Sequence, residues 1–178
     1  MGNCVENVYN PSIILAAQSG DLTTVKKIIL MGADINYQDK IKGNTALMVA
    51  SHSGDYILVG FLLENGACPL IRNNVGYTAL SYAARNGHIE IGRLLLLKFY
   101  NWSKNVNGMV NGKSINSHET PLMQAVVGGY RDFAILLIEN RADIHARTKY
   151  GWTALDFAKS KHYMEIVFLL SQNLNTSQ

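Results

Sequence analysis

A short pattern recurs five times along the 178 residues and leaves little freedom in how the chain folds. The segments SIILAAQSGD (12–21), TALMVASHSGD (45–55), TALSYAARNGH (78–88), TPLMQAVVGGY (120–130) and TALDFAKSKHY (153–163) align on one another. Thr45, Thr78, Thr120 and Thr153 are spaced by 33, 42 and 33 residues. Gly20, Gly54, Gly87, Gly129 and His162 follow at intervals of 34, 33, 42 and 33. Between them run VKKIILMGADIN, VGFLLENGACPL, the degenerate GRLLLLKFYNWS and AILLIENRADIH. Each unit therefore reads as a short helix, a glycine, a longer apolar helix and a Gly-Ala-Asp turn. A pair of helices this small cannot bury its own apolar face, so neighbouring units must stack. The predicted fold is an all-α repeat solenoid.

The local chemistry agrees with that periodicity. A Thr or Ser opens each first helix, where its side-chain oxygen can accept from free backbone N–H groups. Pro121 stands at the first helical position, the one place a proline fits well. Ala16, Ala50, Ala83, Ala125 and Ala158 recur at one site, as expected where a neighbouring helix approaches closely. Gly20, Gly54, Gly87 and Gly129 close the helix, where a left-handed residue is commonly needed. The second helices are expected to bury Val25, Ile28 and Ile29, then Val59, Leu62 and Leu63, then Leu95 and Leu96, then Leu137 and Ile138.

These units resemble ankyrin repeats, which are about 33 residues long, combine a β-turn with two helices and carry a T-P-L-H-x-A signature. Thr120-Pro121-Leu122 with Ala125 matches it closely, as do Gly76-Tyr77-Thr78-Ala79-Leu80 with Ala83-Ala84, and Gly87-His88. The resemblance covers about residues 8–171 and implies stacked helix-turn-helix repeats joined by short β-hairpin loops. Residues 1–7 are then expected to be a flexible N-terminus and 172–178 a C-terminal tail. One departure stands out: Met48, Ser81, Met123 and Asp156 replace the histidine that bridges turns in typical members.

Two irregularities break the period. The interval from Thr78 to Thr120 carries nine extra residues, which fall within about 101–117 in an Asn/Gly/Ser-rich stretch, and an enlarged hairpin or loop is expected there. Insertions in solenoids often lie on the binding face, whereas neutral growth of a surface loop costs little. A one-residue insertion lies between Asp39 and Gly43. The second irregularity is the last helix, where Phe168 takes a site held by Lys26 and Arg93 elsewhere. Terminal repeats need a polar outer face, so either residues 172–178 fold back over Phe168 or another protein stacks on it.

Several function classes are excluded or disfavoured by the same reading. With 48% hydrophobic residues the chain is not disordered. Its net charge of +3 is too mild to argue nucleic acid, and none is expected as a partner. Cys4 and Cys68 alone fit a reducing compartment and no zinc module or disulfide scaffold, so a cytoplasmic location is expected. No apolar run approaches the roughly 20 residues that span a bilayer. Gly2 and Cys4 have the arrangement of dual acylation, against Glu6 where Ser or Thr is wanted, so membrane association is expected only if they are acylated. No P-loop, dinucleotide fingerprint, H-E-x-x-H or G-x-S-x-G occurs, and the five histidines are scattered over different repeats. No enzyme activity, cofactor or metal is expected.

The resemblance also implies where a partner is held: at hairpin tips and along the inner surface of the short helices. Carried onto this sequence, those positions are Ile41, Lys42, Asn44, His52 and Ser53, then Asn74, Val75, Tyr77, Arg85 and Asn86. They continue with Asn116, Ser117, Glu119 and Val127, then Lys149, Tyr150, Trp152, Ser160 and Lys161. Tyr77, Tyr150 and Trp152 are the candidate anchors, because aromatics with Arg dominate interface energetics. The alternative is that Tyr77 and Trp152 merely pack against adjacent hairpins. Lys40, Lys42, Arg72, Lys104, Lys113, Arg147 and Lys149 lie in or near hairpins, against Asp39 and Glu119. That basic rim suits an acidic peptide or protein surface; a homo-oligomer is not required. The expected function is a protein-binding adaptor or scaffold. A structural constituent of a cytoskeletal or ciliary assembly, and a reversible regulator of an enzyme, are the alternatives.

Overall fold

The computed structural model describes residues 8–103 and 107–175, so Gly2, Cys4 and Lys104 lie outside the described residues. Five helix pairs follow one another: α1 (Asn10–Gln18) with α2 (Leu22–Leu30), α3 (Ala46–Ser53) with α4 (Tyr56–Glu64), and α5 (Ala79–Asn86) with α6 (Ile89–Ser103). After the short α7 (Asn107–Val110) come α8 (Pro121–Val127) with α9 (Arg131–Glu139), and α10 (Ala154–Ser160) with α11 (Met164–Asn175). The first helices α1, α3, α5, α8 and α10 stack in series, and α4, α6, α9 and α11 form a second layer beside them. The fold is an all-α repeat solenoid.

Local signals explain why each first helix starts and stops where it does. The hydroxyls of Thr45, Thr78, Thr120 and Thr153 accept from the amides of Met48, Ser81, Met123 and Asp156 at 3.3–3.4 Å. Ser81 and Asp156 complete the exchange by accepting from the Thr78 and Thr153 amides, at 3.2 and 2.8 Å. The missing histidine is thus replaced by a capping partner in two units, while Met48 and Met123 supply none. At the inter-helix turn Gly20, Gly54, Gly87 and Gly129 all take positive φ, between 68° and 82°. His162 occupies the same site at φ 58°, a conformation that costs a side-chain-bearing residue about 1 kcal/mol.

The alanine column accounts for how closely the units pack. Ala16, Ala50, Ala83, Ala125 and Ala158 are all buried, four of them completely. Behind them the second helices seal the core with Val25, Leu58, Leu62, Leu95, Phe133 and Leu137. Ile29, Leu63 and Ile138 are only half-buried, at the outer edge of their helices. Gly92 permits a close crossing of α6 and α9: a Cβ there would sit 2.5 Å from the Phe133 ring.

The insertion takes a different form from the enlarged hairpin expected for 101–117. It lengthens α6 to 15 residues, against nine in α2, α4 and α9, and adds α7. The physical reason is that Phe99-Tyr100 stands where Gly32-Ala33 and Gly66-Ala67 end the other second helices. With no glycine to break it the helix runs on and buries Phe99, after which Met109 and Val110 of α7 enter the core with no exposure. Asn111 then restores the register. Its Oδ1 accepts from the Asp143 amide at 2.7 Å, as Asn36 accepts from the Cys68 amide at 2.8 Å.

The hairpins are short fingers closed by a few backbone bonds, with no strand among the described residues. The Asn73 and Thr148 amides donate to the Tyr77 and Trp152 carbonyls four residues on. The Asp39 and Ser114 amides reach Asn44 and Glu119, five residues on, so each of these two fingers holds one extra residue. At the other end of the chain, residues 172–175 continue α11 instead of folding back, and Phe168 remains 65% exposed. The covering tail is therefore corrected as far as the described residues reach.

Candidate protein-binding face

Each finger is built on one polar side chain at its base. Asp39 Oδ1 accepts from the Ile41 and Lys42 amides and Oδ2 from that of Asn44. Burial pushes the Asp39 carboxyl up, but the amides of Lys42, Asn44, Ile41 and Gly43 together hold it below the usual carboxylate range. Asn73 Oδ1 accepts from Val75 and Tyr77, Ser114 Oγ from Glu119, and Thr148 Oγ1 from Tyr150 and Trp152. Neighbouring fingers are then tied tip to tip. The Asn74 amide donates to the Lys42 carbonyl, Ile115 to Val75, and Lys149 to Ser117, at 2.9–3.0 Å. The tips therefore form one continuous edge.

Among the described rim cations, Arg72 and Arg147 serve this edge. Arg72 Nε donates to the Gly76 carbonyl at 3.1 Å and its Nη2 to the Lys113 carbonyl, while Arg147 Nη1 donates to the Gly151 carbonyl at 2.8 Å. Their guanidiniums close hairpins, a role the charge count missed. Lys42, Lys113 and Lys149 are exposed, and the Lys149 ammonium lies 5.1 Å from the centre of the Tyr150 ring.

Below the edge, six of the sequence-derived positions, Asn44, His52, Tyr77, Arg85, Asn86 and Glu119, join one cluster around Tyr82. Its hydroxyl donates to Asn44 Oδ1, and its ring meets those of His52 and Tyr77 edge-on at 5.5 and 5.8 Å. Asn86 Nδ2 donates to the Tyr82 carbonyl and lies 3.0 Å from His52 Nδ1. Tyr77, half-buried, donates its hydroxyl to Glu119 Oε2 at 3.4 Å and carries the Arg85 guanidinium 6.0 Å from its ring centre. Burial, with the Glu119 charge second, raises the Tyr77 hydroxyl above the ordinary tyrosine value. Beside it lies Gln124, 4% exposed.

A second cluster lies at the last finger. Tyr150 is 75% exposed and Trp152 42%, with the Trp152 ring 5.2 Å from that of Phe157. Two candidates stand apart. Lys161 is exposed at the end of α10, and Phe168 lies on α11 in a shallow groove with Arg131, Met164 and Glu165. Tyr82, Gln124 and Phe157 are not among the sequence-derived positions, although they share one register with Leu15 and Val49, five residues before the turn residues Gly20, Gly54, Gly87, Gly129 and His162. That shared register was the available signal.

Among the described residues no group of three or more His, Cys, Asp or Glu side chains is placed to hold a metal ion. No described helix is long and apolar enough to cross a membrane.

Two family models match the chain in succession, "Ankyrin repeats (3 copies)" over residues 13–108 and "Ankyrin repeats (many copies)" over 110–158. An ankyrin repeat protein of Escherichia coli (strain K12) is 31% identical over 88% of this chain and 92% of its own length. One of Fowlpox virus is 32% identical over 90% of this chain, which spans about half (47%) of that relative. An ankyrin repeat and SAM domain-containing protein of Rattus norvegicus is 39% identical over 47% of this chain and a tenth of its own length.

Proposed function

The chain belongs to the ankyrin-repeat family, whose repeats are generally protein–protein interaction modules, and from that premise we propose that it is a non-enzymatic adaptor. It holds another protein along the finger edge and the first-helix face. The observation that carries this reading is the continuous edge of hydrogen-bonded tips, which presents Lys42, Lys113, Lys149, Tyr150 and Trp152 on a rigid support. A rigid support matters because side chains already ordered lose less entropy on binding. The three exposed lysines favour a partner with an acidic surface or peptide.

The bare Phe168–Met164 face favours a second reading, permanent lodging in a larger assembly such as a cytoskeletal or ciliary lattice. A reversible regulator that docks on an enzyme is the third. Cross-linking mass spectrometry on the native protein in soluble and detergent-resistant fractions separates them. Links from Lys42, Lys113 or Lys149 to a soluble protein, lost at high salt, support the reversible adaptor or regulator. Links to filament proteins in the resistant pool replace it with the structural reading, and an absence of links from these three lysines removes the finger edge as the binding surface.

A further inference from the structure

The outermost row of the finger edge sets apolar tips beside cations. Ile41, Ile115 and Tyr150 stand on the first, third and fourth fingers and are 87%, 61% and 75% exposed. Lys42, Lys113 and Lys149, also exposed, are their neighbours in the chain. The tip-to-tip backbone bonds run from the first finger through the second and third to the fourth, so these six side chains share one row.

Charge along the row is one-sided. The Lys42, Lys113 and Lys149 ammonium groups have no carboxylate partner among the described residues. Arg72 and Arg147 donate to carbonyls, which leaves their charge in place. Against these cations the fingers carry Asp39, turned into its own backbone amides, and Glu119, which accepts from the Tyr77 hydroxyl.

The shape of the row selects among anionic targets. A protein anchor is a side chain seated in a pocket, whereas these three apolar side chains project from finger tips. Projecting apolar groups are buried by a phase that deforms around them, as the headgroup boundary of a bilayer does. Tyr150 suits that depth, its ring in the apolar layer and its hydroxyl among the headgroups. Lysines beside it meet anionic lipids, and a bilayer engages every finger without having to match their spacing.

We propose that the finger tips dock on the surface of an anionic lipid bilayer, with Ile41, Ile115 and Tyr150 inserted at the headgroup boundary and Lys42, Lys113 and Lys149 against the headgroups. The contact needs no acyl chain. The inference goes beyond the protein-binding reading: it gives the tips to a membrane and leaves the first-helix face, with His52, Arg85 and Asn86, to a protein.

The test is co-sedimentation of the whole, unacylated chain with vesicles of phosphatidylcholine and with vesicles of an equal mixture of phosphatidylcholine and phosphatidylserine. The expected result is binding to the mixed vesicles alone, weakened at high salt. Lys42→Gln, Lys113→Gln and Lys149→Gln together should reduce it by about tenfold or more. Ile41→Ser, Ile115→Ser and Tyr150→Ser together should do the same without changing the charge. A control triple, Lys27→Gln, Arg93→Gln and Lys159→Gln, removes equal charge at exposed sites off the fingers and should bind nearly as the wild type does. All the substituted sites are exposed, and an unchanged helical circular-dichroism spectrum checks folding. No binding to the mixed vesicles, an equal loss in the control triple, or binding indifferent to either tip triple would overturn the proposal. So would capture on immobilised polyglutamate in place of the vesicles, which returns the row to an acidic protein partner. These failures leave the adaptor reading standing, because its cross-links are read in the soluble fraction without lipid.

Discussion

Tyr77 and Trp152 hold the same place in their repeats, just before the capping threonine, and the two surroundings differ. Tyr77 is half-buried between Tyr82 of its own unit and Glu119 of the next, with Arg85 over its ring. Trp152 leans on Phe157 of its own unit and is otherwise open, because no later finger stands beyond it among the described residues. Both are candidate anchors, with packing against adjacent hairpins as the alternative, and their neighbours set the two apart. An aromatic at this position acts as packing inside the stack and stays available at its end. At the other end of the described stack Leu15 is 64% exposed.

The sharpest way to break this comparison is to truncate both aromatics. Tyr77→Ala should lower the unfolding free energy by about 2 kcal/mol, since it removes a half-buried ring and strands the Glu119 contact. If denaturant unfolding moves by less than a few tenths of a kcal/mol, Tyr77 is not packing and the contrast fails. Local caps supply the control. Thr78→Ala and Thr153→Ala should each cost about 1 kcal/mol despite their different places in the stack, because each capping box closes within four residues. A large difference between them would mean that position in the stack governs local bonds as well.

Trp152→Ala should cost less than about 1 kcal/mol, being mostly a loss of exposed area, while weakening partner capture. His162→Gly should raise stability by about 0.5–1 kcal/mol by relieving the left-handed backbone, as a thermal melt would show.

The smallest expected effect is pH-dependent. Bonds from Thr153, backbone first and side chain second, hold the Asp156 carboxyl below its usual value. A depressed carboxyl pKa contributes stability above the unfolded value near 4, and that contribution is lost as pH falls through the folded value. The acid-unfolding difference between the wild type and Asp156→Asn should therefore shrink below pH about 4. An unchanged difference at pH 3 would show that the carboxylate charge adds nothing to the cap.

Much of the molecule was readable from residue order, for a physical reason. The capping threonines, the alanine column and the turn glycines act over four residues or repeat with the period, so a single chain displays them. The consequences of Phe99-Tyr100 are harder to read. Whether that pair continues a helix depends on whether Phe99 finds a core to enter, and α7 with Met109 and Val110 helps to build that core. Arg72 and Arg147 counted as rim charges because a sequence records a guanidinium but not the carbonyl it bonds.

Periodicity and local hydrogen bonding thus settled the helices, their ends and the order in which they stack. Exposure was settled by contacts between units. Tyr77 is packed because Glu119 arrives 42 residues later, while Phe168 is bare because residues 172–175 extend α11 and leave its outer face uncovered. Local bonds are short-ranged and repeat with the sequence, whereas the neighbour that covers or spares a side chain is a property of the assembled stack.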